Sequence, residues 1–345
     1  MDRFLKTILF LVALVSTATV TSTAQSGRQR PDLRKSERTE DKSRDTRTTS
    51  RTESSDETEE IIRINSGLVS IPVTVTDGEG KQVLGLSPTD FILNIDGQDT
   101  EIDEFATAES PAKMAFLLDN SSSVISARNF ERRASARFLQ TVLRPGTDAA
   151  ALFSVSTEWK IEQPLVSDVS RLVRAVERMP PPIGATALLD AIMGAVEFLK
   201  GEDGRKVIVI ISDGEDTVSD TPFNDLLRTL QSTSIQLFVI KTTAYENFKR
   251  TGSRVISENI RQLTAERRIQ DMVRQTGGES FSPVDDQELE SAFQAIALEL
   301  RRQYVLGYYP GTESEGTIGF RRIAVRLRDG TDYKIRTRAG YLGPR

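Results

Sequence analysis

Cysteine and histidine are both absent from this 345-residue chain. Without cysteine there are no disulfides, no thiolate zinc sites, no cysteine nucleophile and no lipoprotein-type anchor. Without histidine there is no Ser-His-Asp triad, no imidazole metal site and none of the commonest general base. Chemistry is left to carboxylates, hydroxyls, Lys, Arg and Tyr. A dominant charge sign is lacking too: 45 basic residues face 50 acidic ones, so nothing global argues for nucleic acid. No P-loop and no dinucleotide fingerprint occurs. Long apolar runs are also missing. The N-terminal one, Ile8 to Val15, is short of the roughly 20 residues a membrane span requires. Behind Asp2-Arg3 and Lys6, and ahead of Ser22 and Ala24, it reads as a signal peptide over 1–24; an N-terminal anchor is the alternative. Export to the periplasm or beyond is expected.

Residues 25–60 are rich in Ser, Thr, Arg, Glu and Asp, with almost no large apolar side chains. Such a segment cannot offset its ordering entropy by burial, so a disordered linker is expected. Over 61–110 the pattern becomes β. Val69, Ile71, Val73 and Val75 alternate with Ser70, Pro72 and Thr74, the period of a half-buried strand. Ser87-Pro88-Thr89-Asp90 predicts a helical turn, and Asp96-Gly97 a hairpin. From 111 to 302 strands and helices alternate. Strands are predicted at 114–118, 149–155, 207–211, 235–240 and 279–282, with an antiparallel edge strand near Trp159–Leu165. Residues 244–277 are long for one crossover, so an extra turn or an extended helix is expected there. This order predicts an α/β fold with a doubly wound, mainly parallel sheet. Over 303–345 β character returns. Ile323, Val325 and Leu327, then a turn at Asp329-Gly330, then Tyr333 and Ile335 predict a hairpin. It should pack with 61–110 as a small β module formed by the two flanking segments. The arginines at 321, 322, 326 and 328 read as a solvated strand face.

Two apolar runs end in carboxylates: Met114 to Asp119, and Val207 to Ser212-Asp213. Ligands of open α/β sheets bind outside the carboxyl ends of the strands. Asp119, Ser121 and Ser123 form Asp-x-Ser-x-Ser; Thr186 lies between the two runs; Asp213 ends the second. These five residues form an oxygen-only set suited to a hard cation such as Mg2+, with Mn2+ or Ca2+ as substitutes. Three of the five are neutral hydroxyls. They leave cation charge uncompensated, which an outside carboxylate would complete. Glu215 and Asp216 extend the acidic loop and read as solvated.

The set resembles the metal-ion-dependent adhesion site of the von Willebrand factor A domain family: Asp119-x-Ser121-x-Ser123, Thr186 within Gly184-Ala185-Thr186, Asp213-Gly214, and Gly277-Gly278 before the last strand. The resemblance covers about 112–302. It implies that Ser121, Ser123 and Thr186 touch the metal directly when ligand is bound, Asp119 and Asp213 largely through water, and that a partner's Glu or Asp takes the open position. In some relatives the last helix, here about 286–302, slides as ligand binds. The flanks, Val73 to Asp77, Leu86 to Phe91, Tyr304 to Tyr308 and Arg336 to Tyr341, look like a family of bacterial secreted proteins with a von Willebrand A-related domain. A secreted protein-binding module is therefore expected, with a partner that presents an acidic side chain, no nucleic acid and no enzyme activity. An envelope assembly subunit that binds through metal-independent surfaces is the alternative; a carboxylate-based hydrolase is a further one.

Overall fold

The computed structural model describes residues 67–107, 110–122, 128–254, 259–310, 319–330 and 332–343. The expected signal peptide, the linker and Ser123 lie outside them. In chain order the elements are β1 (Val69–Thr76), a 3-10 turn (Pro88–Asp90), β2 (Phe91–Ile95), β3 (Gln98–Thr100), β4 (Glu104–Thr107), β5 (Ala112–Asp119), α1 (Arg128–Val142), β6 (Ala149–Val155), β7 (Trp159–Val166), α2 (Val169–Arg178) and α3 (Leu188–Lys200). Then come β8 (Arg205–Ser212), α4 (Phe223–Gln231), β9 (Gln236–Lys241), α5 (Thr243–Thr251), α6 (Ile260–Thr276), β10 (Glu279–Phe281), α7 (Asp286–Arg302), β11 (Tyr304–Tyr308), β12 (Phe320–Leu327), β13 (Lys334–Thr337) and β14 (Gly340–Leu342).

The fold is α/β. Its main sheet runs β10-β9-β8-β5-β6-β7, parallel except for β7, which pairs antiparallel to β6 at the edge. Both faces are covered, which explains the uninterrupted apolar runs. Along β5, Met114, Phe116 and Leu118 pack toward α1, α2 and α7, where Phe116 stacks on Phe138 at 5.2 Å. The intervening Ala115 and Leu117 pack toward α3, α4 and α6. The stretch expected to hold an extra turn or an extended helix holds two helices, α5 and α6. Asn259 caps α6 by accepting from Gln262 N at 3.0 Å.

The flanking segments build two small antiparallel sheets, β13-β1-β11-β4 and β14-β12-β2-β3. Ile71, Val73, Phe91, Leu93, Tyr304, Leu306 and Ile323 form their shared core. The Asp96-Gly97 turn joins β2 to β3 with φ of 51° and 93°, the two positive values that a tight hairpin of the primed type demands. Ser87 N and Oγ both donate to Asp90 Oδ2 at 2.7 Å and close the 3-10 turn.

Two expectations need correction. The predicted hairpin between β12 and β13 does not form. β12 pairs with β2 and β14, whereas β13 pairs with β1, so the two strands part into different sheets. β1 is not half-buried either. Its second face is covered at Thr74, which accepts from Gln303 Nε2 at 2.8 Å and is 3 % exposed. That face rests on the end of α7. Of the four arginines read as a solvated strand face, Arg322, Arg326 and Arg328 are exposed, with Arg326 paired to Asp99; Arg321 is half-buried on the opposite side of the strand and pairs with Asp96.

Candidate metal centre

Strand order places β5 where the winding reverses. The chain runs from β5 to β6 and β7 on one side, then returns to β8, β9 and β10 on the other. A crevice opens at the carboxyl ends of strands at such a point. Asp119 is the last residue of β5, 3 % exposed. Its Oδ1 accepts from Ser121 N at 2.9 Å, and its Oδ2 from Ser212 Oγ at 2.7 Å. The first bond is an Asx turn that folds the chain back at the strand end and sets Ser121, also buried, beside the carboxylate. Leu118 pairs with Ile211 of β8. Asp213 therefore stands one residue beyond the level of Asp119, just past the end of the adjacent strand. Its Oδ1 accepts from Glu215 N at 2.9 Å.

Thr186 arrives from the loop before α3 and is 3 % exposed. Several hydrogen bonds fix that loop, among them Ala185 N to Thr157 Oγ1 at 3.0 Å. Ile183 N donates to Asn120 O at 3.0 Å, Ser122 N to Gly184 O at 3.0 Å and Thr186 N to Thr217 Oγ1 at 2.9 Å. Thr217 N returns a bond to Thr186 O at 2.8 Å. The loops after β5, before α3 and after β8 thus form one hydrogen-bonded rim. Of the five residues singled out from sequence, Asp119, Ser121, Thr186 and Asp213 lie on it; Ser123 falls outside the described residues. Asp216 is not solvated as expected. Its Oδ1 accepts from Leu188 N at 2.9 Å and from Ser219 Oγ at 2.5 Å, so it caps α3 from a neighbouring loop.

Residues 114–292 match the von Willebrand factor type A domain. The chain belongs to that family. Comparison with curated protein sequences gives no match. Among solved structures, an aerotolerance-related membrane protein from Bacteroides fragilis is similar at 19% identity and a TM-score of 0.42, over 55% of this chain and 98% of that one. BatB from Bacteroides thetaiotaomicron, titled a conserved hypothetical protein, is similar at 17% and 0.42, over 55% and 97%. The PilB minor pilin from Streptococcus sanguinis is similar at 13% and 0.43, over 56% and 61%.

Domains of the von Willebrand factor type A family often bind a divalent cation at a metal-ion-dependent adhesion site. The donor set fits one. Burial, and next the charge of Asp213, push the Asp119 carboxyl up to about 6, against hydrogen bonds that act to lower it. Among the described residues no Lys or Arg bonds to the carboxylate of Asp119 or Asp213. A buried carboxylate without a basic partner is costly, and a cation removes that cost. Among the described residues no three acidic side chains stand close enough to hold a metal between them. A cation here would rely on hydroxyls and waters to fill its shell, as Mg2+ readily does.

Sequence reasoning missed three residues behind this rim. Glu131 on α1 is 2 % exposed, and burial first, then Asp119 and Glu246, push its carboxyl well above the usual range. Glu246 on α5 is pushed up to about 7, chiefly by burial. Thr242, at the start of α5, is 1 % exposed. Glu131 carried one available signal, a charge next to Phe130 on the apolar side of α1. Glu246 carried none, since it lies on an inserted helix.

Proposed function

We propose that this chain is an exported Mg2+-dependent protein-binding module. Asp119, Ser121, Ser123, Thr186 and Asp213 hold the cation, with Mn2+ or Ca2+ as substitutes. A Glu or Asp of a partner protein completes its shell. The observation that carries this reading is the Asp119 carboxylate: buried at a strand end, held by Ser121 N and hydroxyls, with Asp213 beside it and no base on it among the described residues. The bound cation would supply positive charge at the rim. The chain's own part is positional. Ser212 and the Ser121 amide orient Asp119, while Thr217 and Asn120 fix the loop that carries Thr186.

Binding of this kind needs no bond-making step, so no catalytic residue is assigned. The test is capture from envelope and secreted extracts by the mature chain in Mg2+, in EDTA, and as Asp119→Ala. Partners retained only by the unmodified chain in Mg2+ are expected. The same partners in all three samples would overturn the reading. They would indicate assembly through metal-independent surfaces, of which the exposed arginines of β12 are the first to examine.

A further inference from the structure

We infer that the chain carries a second, inner divalent-cation site formed by Glu131, Thr242 and Glu246. This goes beyond the rim described above and does not depend on a partner carboxylate. Three elements converge on it: α1, the β9–α5 junction and α5. Their relative placement is tight. Phe130 and Tyr245 stack with ring centroids 3.6 Å apart, so α5 is pinned on α1 one residue before each glutamate. Tyr245 Oη donates to Asp286 Oδ1 at 3.0 Å, and Thr242 N to Ser212 O at 3.1 Å; these tie the same junction to α7 and β8.

The polar atoms at this junction are left without partners. Glu131 Oε1, Glu246 Oε1 and Thr242 Oγ1 are all buried and accept or donate no well-formed hydrogen bond, although both glutamates lie against the Thr242 hydroxyl. Buried polar groups are nearly always satisfied, and here three unsatisfied oxygens gather in one place. No base among the described residues donates a hydrogen bond to them; Arg250, one turn along α5, acts on Glu246 through its charge alone, as the weakest influence on it. Arg128 is committed to Asn120 Oδ1 at 3.0 Å and Met179 O at 2.6 Å, Arg132 donates to Glu177 O, and Lys249 bonds Asp286. A cavity of 10 Å3 touches Asp119 and Glu131, but Arg128 and Arg132 also line it. It suits one water and repels a cation. The cation's place is against the Thr242 hydroxyl, where two carboxylate oxygens and a hydroxyl meet. Waters complete the shell, in keeping with the oxygen preference of hard divalent ions.

The test uses Mn2+ as probe, titrated by calorimetry into the full chain at neutral pH, with thermal melts to check folding. Two ions per chain are expected. Glu131→Gln combined with Glu246→Gln should bind one, and Thr186→Ala should lose the other while keeping the inner one. Should the double variant fail to fold, Glu246→Gln alone, at a half-buried position, should weaken the inner ion at least tenfold. Two undiminished ions in the glutamine variants would overturn the inner site. So would one ion in the unmodified chain that only Thr186→Ala removes, a result that leaves the rim reading intact. One ion removed only by the glutamine variants would keep the inner site and sink the rim reading. No ion at all would overturn both.

Discussion

Burial raises five of the described carboxylates, Glu215 among them. Asp119 is raised to about 6, Glu246 and Glu299 to about 7, and Glu131 well above its ordinary range, in each case first by desolvation. Each folded value lies above the ordinary one, so the native state holds protons that the unfolded chain has released. Stability from these groups is present below about pH 4 and is lost as pH rises through 6 and 7. Carboxylates lowered in the folded state, such as Asp148 beside Arg144, act only at the acid end, outside that window. The cation-free protein should therefore melt at lower temperature at pH 8 than at pH 5. The expected difference is several degrees, since about 1 kcal/mol moves a domain of this size by roughly 2–4 °C. Saturating Mg2+ should recover part of it at pH 8. A melting temperature that climbs steadily from pH 5 to pH 8 in EDTA would refute this account.

The end of α7 shows how one element can hinge on a buried ion network. Glu299 is 5 % exposed and pairs with Arg336 of β13. Arg336 Nη1 also donates to Gly277 O at 2.7 Å and Gly278 O at 2.9 Å. Arg205 Nη1 donates to Glu299 O at 2.9 Å, and its Nη2 to Gln236 Oε1 at 2.5 Å and to Gln303. Removing one member of a buried pair strands the other, at a cost of roughly 3 kcal/mol. Exposed pairs contribute below about 1 kcal/mol. Arg336→Ala should thus cost roughly 3 kcal/mol in urea denaturation, and Arg326→Ala, which loses only the exposed contact to Asp99, under about 1 kcal/mol. Equal costs would mean that the network at α7 carries no special weight.

Elements also show what was legible in the sequence. β5 and β8 were readable because both faces of a central parallel strand are buried, which leaves an apolar run with a polar residue at its end. The Asp96-Gly97 hairpin was readable because its backbone demands those residues. The pairing of β12 was not. Its alternation of Ile323, Val325 and Leu327 with arginines would suit β13 as well as β2, and only the distant β2 decides the matter. Thr74 reads as a solvent-side residue until Gln303, 229 positions away, is placed against it. At the rim, Asp119, Ser121, Thr186 and Asp213 stood out by order and spacing. Glu131 and Glu246 did not, because their meeting depends on how α5 lies on α1.

Across the whole molecule, the two flanking sheets are joined to the α/β domain where α7 ends. Only Gln303 separates α7 from β11, an internal strand paired with β1 and β4. Gln303 Nε2 bonds Thr74, Ala339 N donates to Arg274 O at 3.1 Å, and Arg338 Nη2 to Gln231 O at 2.8 Å. A slide of α7 by one turn, about 5.4 Å, would break the Glu299, Gln303 and Arg205 contacts together. It would also drag β11 out of register with β1. A one-residue slip already turns every side chain of a strand to the wrong face. The helix end is therefore held, and a cation or partner at the rim should leave it unmoved. Hydrogen exchange is expected to be equal over 296–303 in Mg2+ and in EDTA for the unmodified chain, and faster in both once Arg336 is replaced by Ala. Exchange over 296–303 that changes with Mg2+ in the unmodified chain would show the opposite: that the rim and the flanking sheets move as coupled parts, with α7 as the lever between them.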